Sequence, residues 1–250
     1  MSGSRAYGLR AGMRRGALSQ CAPRRHAAGL AGIAALALGA GAPSASAHPH
    51  VFIDAGLEVA FDADGRAEEL RVVWVFDDFY SMLAISDFGF DPEFTGRLTE
   101  EERAELAEIY SNWQPGFEGD LYPERGGVPL ALSGPFAFRA DYQEGRIIIS
   151  HRRRLEPPVQ PGEIPLVLKV YDPTYYIAYT IAAPPQLSGA SSGCVAEVIL
   201  PDFSYAAEQL QAAINELLAE EGAGFDVEQD FPAVGADFAE EVHVRCDAPS

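Results

Sequence analysis

A series of short strand-like segments, separated by turn-forming residues, is the feature that most constrains the fold of this chain. Gly, Pro or Asp residues stand between the segments, and Gln143-Glu144-Gly145 is typical of a short hairpin. Hairpin connections, without a regular alternation of strands and helices, predict a mostly antiparallel sheet. The predicted strands are 128–132, 136–142, 146–155, 164–171, 175–182, 194–200 and 238–246.

A further hairpin is predicted at residues 51–76. Residues 51–61 alternate imperfectly between apolar and other side chains, residues 62–65 supply Asp and Gly for a turn, and residues 70–76 resume an extended apolar pattern.

Two helices complete the predicted elements. Thr99 and Glu102 form a capping box, and apolar residues then recur at helical spacing, which predicts a helix over 100–113. A second amphipathic helix is predicted at 206–218. The expected fold class is therefore α+β, mostly antiparallel β and sandwich-like, with two main helices.

The first 47 residues have the order of a cleavable signal peptide. They contain six arginines and no acid, then an alanine-rich apolar run at 27–42, then Ala45-Ser46-Ala47. The apolar run is shorter than the roughly 20 residues of a membrane-spanning helix, so we expect no retained membrane anchor. Both ordinary secretion and twin-arginine export at Arg24-Arg25 remain open. We expect residues 48–250 to form a single periplasmic domain.

The charge of the expected mature chain is strongly negative. Without the leader, 12 basic residues face 37 acidic ones, a net charge of about −25. Such a surface repels nucleic acid and concentrates cations, so we predict no nucleic-acid partner. Acidity also keeps a secreted protein soluble, so charge alone does not indicate a metal function.

Two cysteines remain after removal of the leader. In an oxidising compartment, Cys194 and Cys246 are predicted to form one disulfide bond. The alternative is a pair of thiolate metal ligands.

The expected mature chain would begin His48-Pro49-His50. The α-amine and imidazole of His48 could chelate one metal ion, with His50 as a second imidazole, a nitrogen-rich set that suits Cu, Ni or Zn. Pro49 has no amide N–H, which disfavours a chelate through the backbone amide. The alternatives are a solvated, frayed terminus, or cleavage ahead of Ser46.

Carboxylates could complete such a site, and the candidates are Asp54, Asp77 and Asp172. Asp172 could equally bond backbone N–H groups in a turn, and Asp77 could cap a short helix. His151 and His243 lie within strand patterns and are expected to be core residues. The sequence has no recognised nucleophile or phosphate-binding motif.

Four segments of the chain together resemble a known family. Residues 48–54, 74–81, 98–103 and 170–176 are similar to the bacterial family named domain of unknown function 1007, described as a periplasmic component of an uncharacterised ABC-type transport system. Members are often encoded beside nickel, cobalt or zinc permeases, which implies a role in metal handling in the cell envelope. The resemblance implies no reaction.

We therefore expect a non-enzymatic periplasmic protein that binds Ni, Zn, Co or Cu and assists an inner-membrane metal permease. One alternative is a copper enzyme that uses the N-terminal histidine and a third nitrogen from His151 or His243. Another is a metal-free adaptor that docks on a transporter through the tyrosine-rich stretch at 171–179.

Overall fold

The computed structural model describes residues 49–221 and 231–247, apart from the side chain of Glu221. The predicted leader at 1–47 and His48 lie outside these ranges. The described strands are β1 Val51–Phe61, β2 Ala67–Phe76, β3 Leu121–Arg125, β4 Val128–Pro129, β5 Phe136–Gln143, β6 Arg146–Val159, β7 Leu166–Val170, β8 Ile177–Ile181, β9 Gln186–Gly189, β10 Cys194–Ile199 and β11 Glu240–Cys246. The helices are α1 Asp78–Phe88, α2 Glu100–Ser111 and α3 Phe203–Glu221, with a 3-10 helix at Gly235–Phe238.

One sheet has six strands, in the order β5-β6-β2-β1-β8, with β9 also paired to β1. The β1–β2 and β5–β6 pairs are antiparallel hairpins, while β8 and β9 both run parallel to β1. Burial alternates along β1, with Val51, Ile53 and Ala55 inward. The predicted first hairpin is confirmed, because this period-two pattern buries one face of each strand.

The second sheet has five strands in the order β10-β11-β7-β3-β4, and all of its pairs are antiparallel. Its inward residues, such as Leu121, Leu168 and Val242, join those of the first sheet in one hydrophobic core. The predicted class, α+β with mostly antiparallel strands, is confirmed.

The helices begin where the sequence supplies caps. In α2 the Thr99 side chain accepts from the Glu102 N–H and the Glu102 carboxylate accepts from the Thr99 N–H, so the predicted capping box is present. The helix packs against β5. α1 begins after Asp77, and Gly89 ends it in the left-handed conformation with φ +71°. None of the helices in the described ranges combines the length and apolarity that crossing a membrane requires.

Two strands have no counterpart in the predicted elements. β3 contains Pro123, which has no N–H for the ladder and so argues against a strand. Its carbonyl nevertheless accepts a 2.9 Å hydrogen bond from the Leu130 N–H, and it lies opposite Leu168 on β7. β9 is only four residues long and lacks an alternating pattern. β9 therefore depends on β1, a partner distant in sequence, and β3 pairs with the distant β7 as well as with its neighbour β4.

Candidate functional site

The start of β1 lies between two segments that the sequence analysis singled out. β2 runs antiparallel to β1, so the end of β2 and Asp77 lie on one side of this start. β8 runs parallel to β1, so the beginning of β8, preceded by Asp172, lies on the other side. The topology therefore brings three predicted site segments to one corner of the sheet.

Asp77 binds two backbone segments at this corner. One carboxylate oxygen accepts from the Tyr80 N–H at 2.8 Å and caps α1, and the other accepts from the Phe52 N–H at 2.9 Å. The backbone N–H of Asp77 in turn donates to the Phe52 carbonyl at 2.9 Å. Asp77 thus holds β1 against the N-terminus of α1, as a helix cap.

Asp172 organises the turn before β8. Its carboxylate accepts from the Thr174 N–H and hydroxyl and, at 3.0 Å, from the Ile177 N–H. The sequence predicts that Asp172 either forms such a turn or binds a metal, and these bonds are those of the turn. Ile177 pairs with Val51, so Asp172 holds β8 in register with the first residue of β1.

His50 is exposed and lies immediately before β1. Its backbone N–H donates to the Tyr176 carbonyl at 2.8 Å, and its ring lies 4.8 Å from the Tyr176 ring between centroids. The backbone of this histidine is therefore held on the sheet. His48 lies outside the described residues, so its position relative to His50 stays a prediction.

Asp54 does not share a site with His50. It lies four residues further along an extended strand, which separates the two Cα atoms by about 13 Å. Its carboxylate accepts from the Arg146 guanidinium at 2.8 Å, and Arg146 also donates to the Phe76 carbonyl. Asp54 is therefore the ion-pair partner that fixes Arg146 across β2.

Within residues 49–221 and 231–247, no three His, Cys, Asp or Glu side chains lie close enough together to hold a metal ion. A metal site at this corner would therefore need His48 in addition to His50 and any flanking carboxylate.

The two remaining histidines are separate from this corner. His151 is 1% exposed and is enclosed by the rings of Trp74, Trp113 and Phe138, with centroids at 4.8, 5.1 and 5.3 Å. Burial, with the nearby positive charge of Arg153, lowers the pKa of His151 to about 4. It lies level with Leu57 and two strands from β1, which places its Cα about 25 Å from that of His50.

His243 lies on the other sheet, and its Nε2 is 2.6 Å from a carboxylate oxygen of Glu241. His151 therefore cannot supply the third nitrogen that the copper-enzyme hypothesis requires. The Nε2 atom of His243 is already paired with the Glu241 carboxylate.

The predicted disulfide is present. Cys194 and Cys246 lie opposite each other on β10 and β11 and are bonded, which closes a loop with a sequence separation of 52 residues. The alternative of two thiolate metal ligands is therefore wrong.

A cleft of about 610 Å³ opens between the two sheets, below the segment that follows α2. Nine of its lining residues are aromatic, among them Trp74, Trp113 and Tyr179. Three are acidic, and none of the lining residues described is Lys, Arg or His. A concave, largely apolar site of this size is typical of small-molecule binding.

The acidic residue deepest in this cleft is Asp120, which is 3% exposed. Its carboxylate accepts a 2.7 Å hydrogen bond from the Tyr179 hydroxyl. Burial raises the pKa of Asp120 to about 7, and the negative charge of Asp172 adds to the shift. The same burial raises the pKa of Tyr179 well above its ordinary value.

No pattern in the sequence predicts this cleft, although Asp172, one of its lining residues, is a predicted candidate ligand. Asp120 belongs to no motif, and it adopts a positive φ of 49° between Gly119 and the buried strand residue Leu121. Gly119 before it lies under the Trp113 ring, where a Cβ atom would come within 2.3 Å of that ring. A close backbone approach of this kind is visible only in the folded chain.

The outer face of α1 exposes several large apolar side chains. Phe79 is 66% exposed and Met82 55%, and Leu83 lies beside them. Phe52, 54% exposed, adjoins this face because its backbone is bonded to Asp77 in both directions. We call these four residues the α1 apolar face. Contiguous exposed apolar side chains are typical of interaction surfaces.

The tyrosine-rich stretch at 171–179 is, by contrast, mostly packed. Tyr171 stacks on Tyr122, and Tyr175 stacks on Phe238. Of its tyrosines, Tyr176 is the exposed one.

The chain matches a family model described as "Protein of unknown function (DUF1007)" over residues 33–246. Comparison with curated proteins gives no significant match.

Proposed function

The chain belongs to the DUF1007 family of proteins of unknown function, and we propose that it is an exported, periplasmic protein that binds one divalent transition metal ion and assists an inner-membrane metal permease. The metal is held by the α-amine and imidazole of His48 and by the imidazole of His50. Asp77 or Asp172 supplies a further oxygen. Amine and imidazole nitrogens suit Ni, Cu, Zn and Co, whose selection then depends on geometry and supply.

The position of His50 carries this proposal. Its backbone is held on the sheet at the start of β1 by the Tyr176 carbonyl, and the residue itself is exposed. Asp77 and Asp172 flank that point from the two neighbouring strands. Their carboxylate oxygens already accept backbone N–H groups, and such bonds orient a carboxylate that also contacts a metal.

The α1 apolar face supports the second half of the proposal. It adjoins the start of β1 through Phe52, so a partner docked there would lie close to His50. Docking and metal transfer would then take place at one end of the molecule.

The metal site is tested by calorimetric titration of the processed protein, whose N-terminus is first verified by mass spectrometry. Ni²⁺, Zn²⁺, Co²⁺ and Cu²⁺ are titrated separately, and one ion per chain is expected. His50→Ala should weaken binding at least tenfold, because it removes one of the two imidazoles. His243→Ala is the matched control, since that ring lies on the other sheet.

A variant with one alanine inserted before His48 tests the α-amine. It should also bind at least tenfold more weakly, because the terminal amine is moved away from the imidazole. Equal affinity of the wild type and both variants would refute the proposed ligands, and no metal binding at all would refute the function.

A metal-free adaptor is the second candidate function, because the α1 apolar face would serve docking without a metal. In that case Met82→Asp would abolish association with the permease, while His50→Ala and chelation would leave the association unchanged. Measuring the affinity of each variant for the permease therefore distinguishes a metal-free adaptor from a metal-binding protein.

A further inference from the structure

The cleft between the two sheets has a chemistry distinct from that of the two histidines of the proposed metal site, although Asp172 is among its lining residues. It has nine aromatic lining residues and three acidic ones, and Lys, Arg and His are missing from its described lining. The Arg153 guanidinium is 4.0 Å from the Glu118 carboxylate and 5.6 Å from the centre of the Trp113 ring. Arg153 is not among the residues that line the cleft.

Asp120 is a buried acid without a described cationic partner. The one hydrogen bond to its side chain comes from the neutral hydroxyl of Tyr179, and the charged group that acts on it is Asp172, a second acid. A buried carboxylate that lacks a cation is costly when ionised. A cation that enters the cleft would remove that cost.

The aromatic walls favour the same kind of ligand. A cation over an aromatic face is attracted by the negative face of the ring, most strongly by Trp, and aromatic enclosures recognise quaternary ammonium groups in this way.

We propose that this cleft binds a small organic cation, an amine or quaternary ammonium that carries an apolar body. The cationic group lies against Asp120, and the apolar body lies among the aromatic rings of the two sheets. This proposal does not require a bound metal ion, although Asp172 lines the cleft and is also a candidate metal ligand.

The protein contains two tryptophans, Trp74 and Trp113, and both line the cleft. Intrinsic tryptophan fluorescence therefore reports directly on occupancy. The protein is titrated at pH 8, with EDTA present to exclude metal binding, using benzyltrimethylammonium, benzyl alcohol and benzoate as probes. The cationic probe should bind saturably and at least tenfold more tightly than the alcohol, and benzoate should bind more weakly than either.

Asp120→Asn keeps the shape of the side chain and removes its charge. It should abolish the preference for the cationic probe over the alcohol, while leaving the affinity for benzyl alcohol unchanged. Glu197→Gln is the matched control, because it removes one acid on β10, which is separated from β3 by two strands. This control should behave as the wild type does.

Two measurements keep the proposal testable if Asp120→Asn folds poorly. In the wild type, affinity for benzyltrimethylammonium should fall at least fivefold between pH 8 and pH 5, because protonation removes the charge of Asp120. The other titratable groups that act on or near Asp120 are Asp172, Tyr122 and Tyr179. Phe117→Leu, at the exposed rim, should weaken the cationic probe more than the alcohol. Equal affinity of the wild type for cation and alcohol, or an affinity for the cation that does not change with pH, would overturn the proposal.

Discussion

The substitution Asp120→Asn is expected to change how the stability of the protein depends on pH. Burial raises the pKa of this carboxyl from 3.8 to about 7 in the folded state. Between these values the folded protein keeps a proton that the unfolded chain has released. Because the folded state then binds more protons, the free energy of unfolding decreases as the pH rises through this window.

The size of the effect follows from the difference in pKa between the two states. About three units correspond to about 4 kcal/mol over the whole window, of which about 2.5 kcal/mol falls between pH 5 and pH 8. Asparagine does not titrate, so the variant lacks this loss. Relative to the wild type, Asp120→Asn should therefore be about 2.5 kcal/mol more stable at pH 8 than it is at pH 5.

The wild-type profile alone would hide this effect, because His151 titrates in the opposite sense. Its pKa is lowered from 6.5 to about 4 in the fold, so the unfolded chain binds the extra proton between those values. The free energy of unfolding therefore decreases as the pH falls from 6.5 to 4. The two slopes offset each other there, and the difference between variant and wild type isolates Asp120.

The assay is urea unfolding of both proteins at several pH values, with the disulfide intact. A difference between variant and wild type that stays constant from pH 5 to pH 8 would show that Asp120 titrates normally. The argument that it is a buried, uncompensated acid would then fail.

Three further substitutions or treatments test the packing. Reduction of the disulfide between β10 and β11, which closes a loop of 52 residues, should lower the free energy of unfolding by about 4 kcal/mol in urea titrations with and without reductant. Ser81→Ala removes the acceptor of a β6 backbone N–H at 2.9 Å and should cost about 1–3 kcal/mol, whereas Ser86→Ala on the exposed side of α1 should cost little. Gly235→Ala would place a Cβ atom 1.8 Å from a carbonyl oxygen and should lower the melting temperature, whereas Gly134→Ala, with open space around it, should not.

Local patterns were sufficient to predict most of the elements. The imperfect alternation of apolar and other residues predicts β1, which runs over Val51–Phe61. The capping box predicts the start of α2. The sequence predicts α1 only as a short segment with Asp77 as its candidate cap, because the outward face of the helix is apolar and gives no amphipathic pattern. These features depend on residues close in sequence, so the sequence reveals them.

The grouping of residues at the corner near His50 could be recognised only from the topology of the sheet. The sequence identified Asp77 and Asp172 as candidate ligands or as structural residues without deciding between them. The fold brings them to either side of the start of β1, and it assigns both carboxylates to backbone N–H groups. It also removes Asp54 from the corner, because an extended strand carries that residue about 13 Å away.

The sequence by itself determined the alternation of the strands, the helix caps and the expected pairing of Cys194 with Cys246. The first two depend on residues that are close together in sequence. The third follows from the two cysteines that lie after the predicted leader. Only the tertiary structure decided the environment of Asp120, which no local pattern distinguishes from a surface acid. Its burial depends on Tyr179, 59 residues away, and on rings from both sheets. The charge state of a side chain depends on what surrounds it in space, and those surroundings form only when the chain has folded.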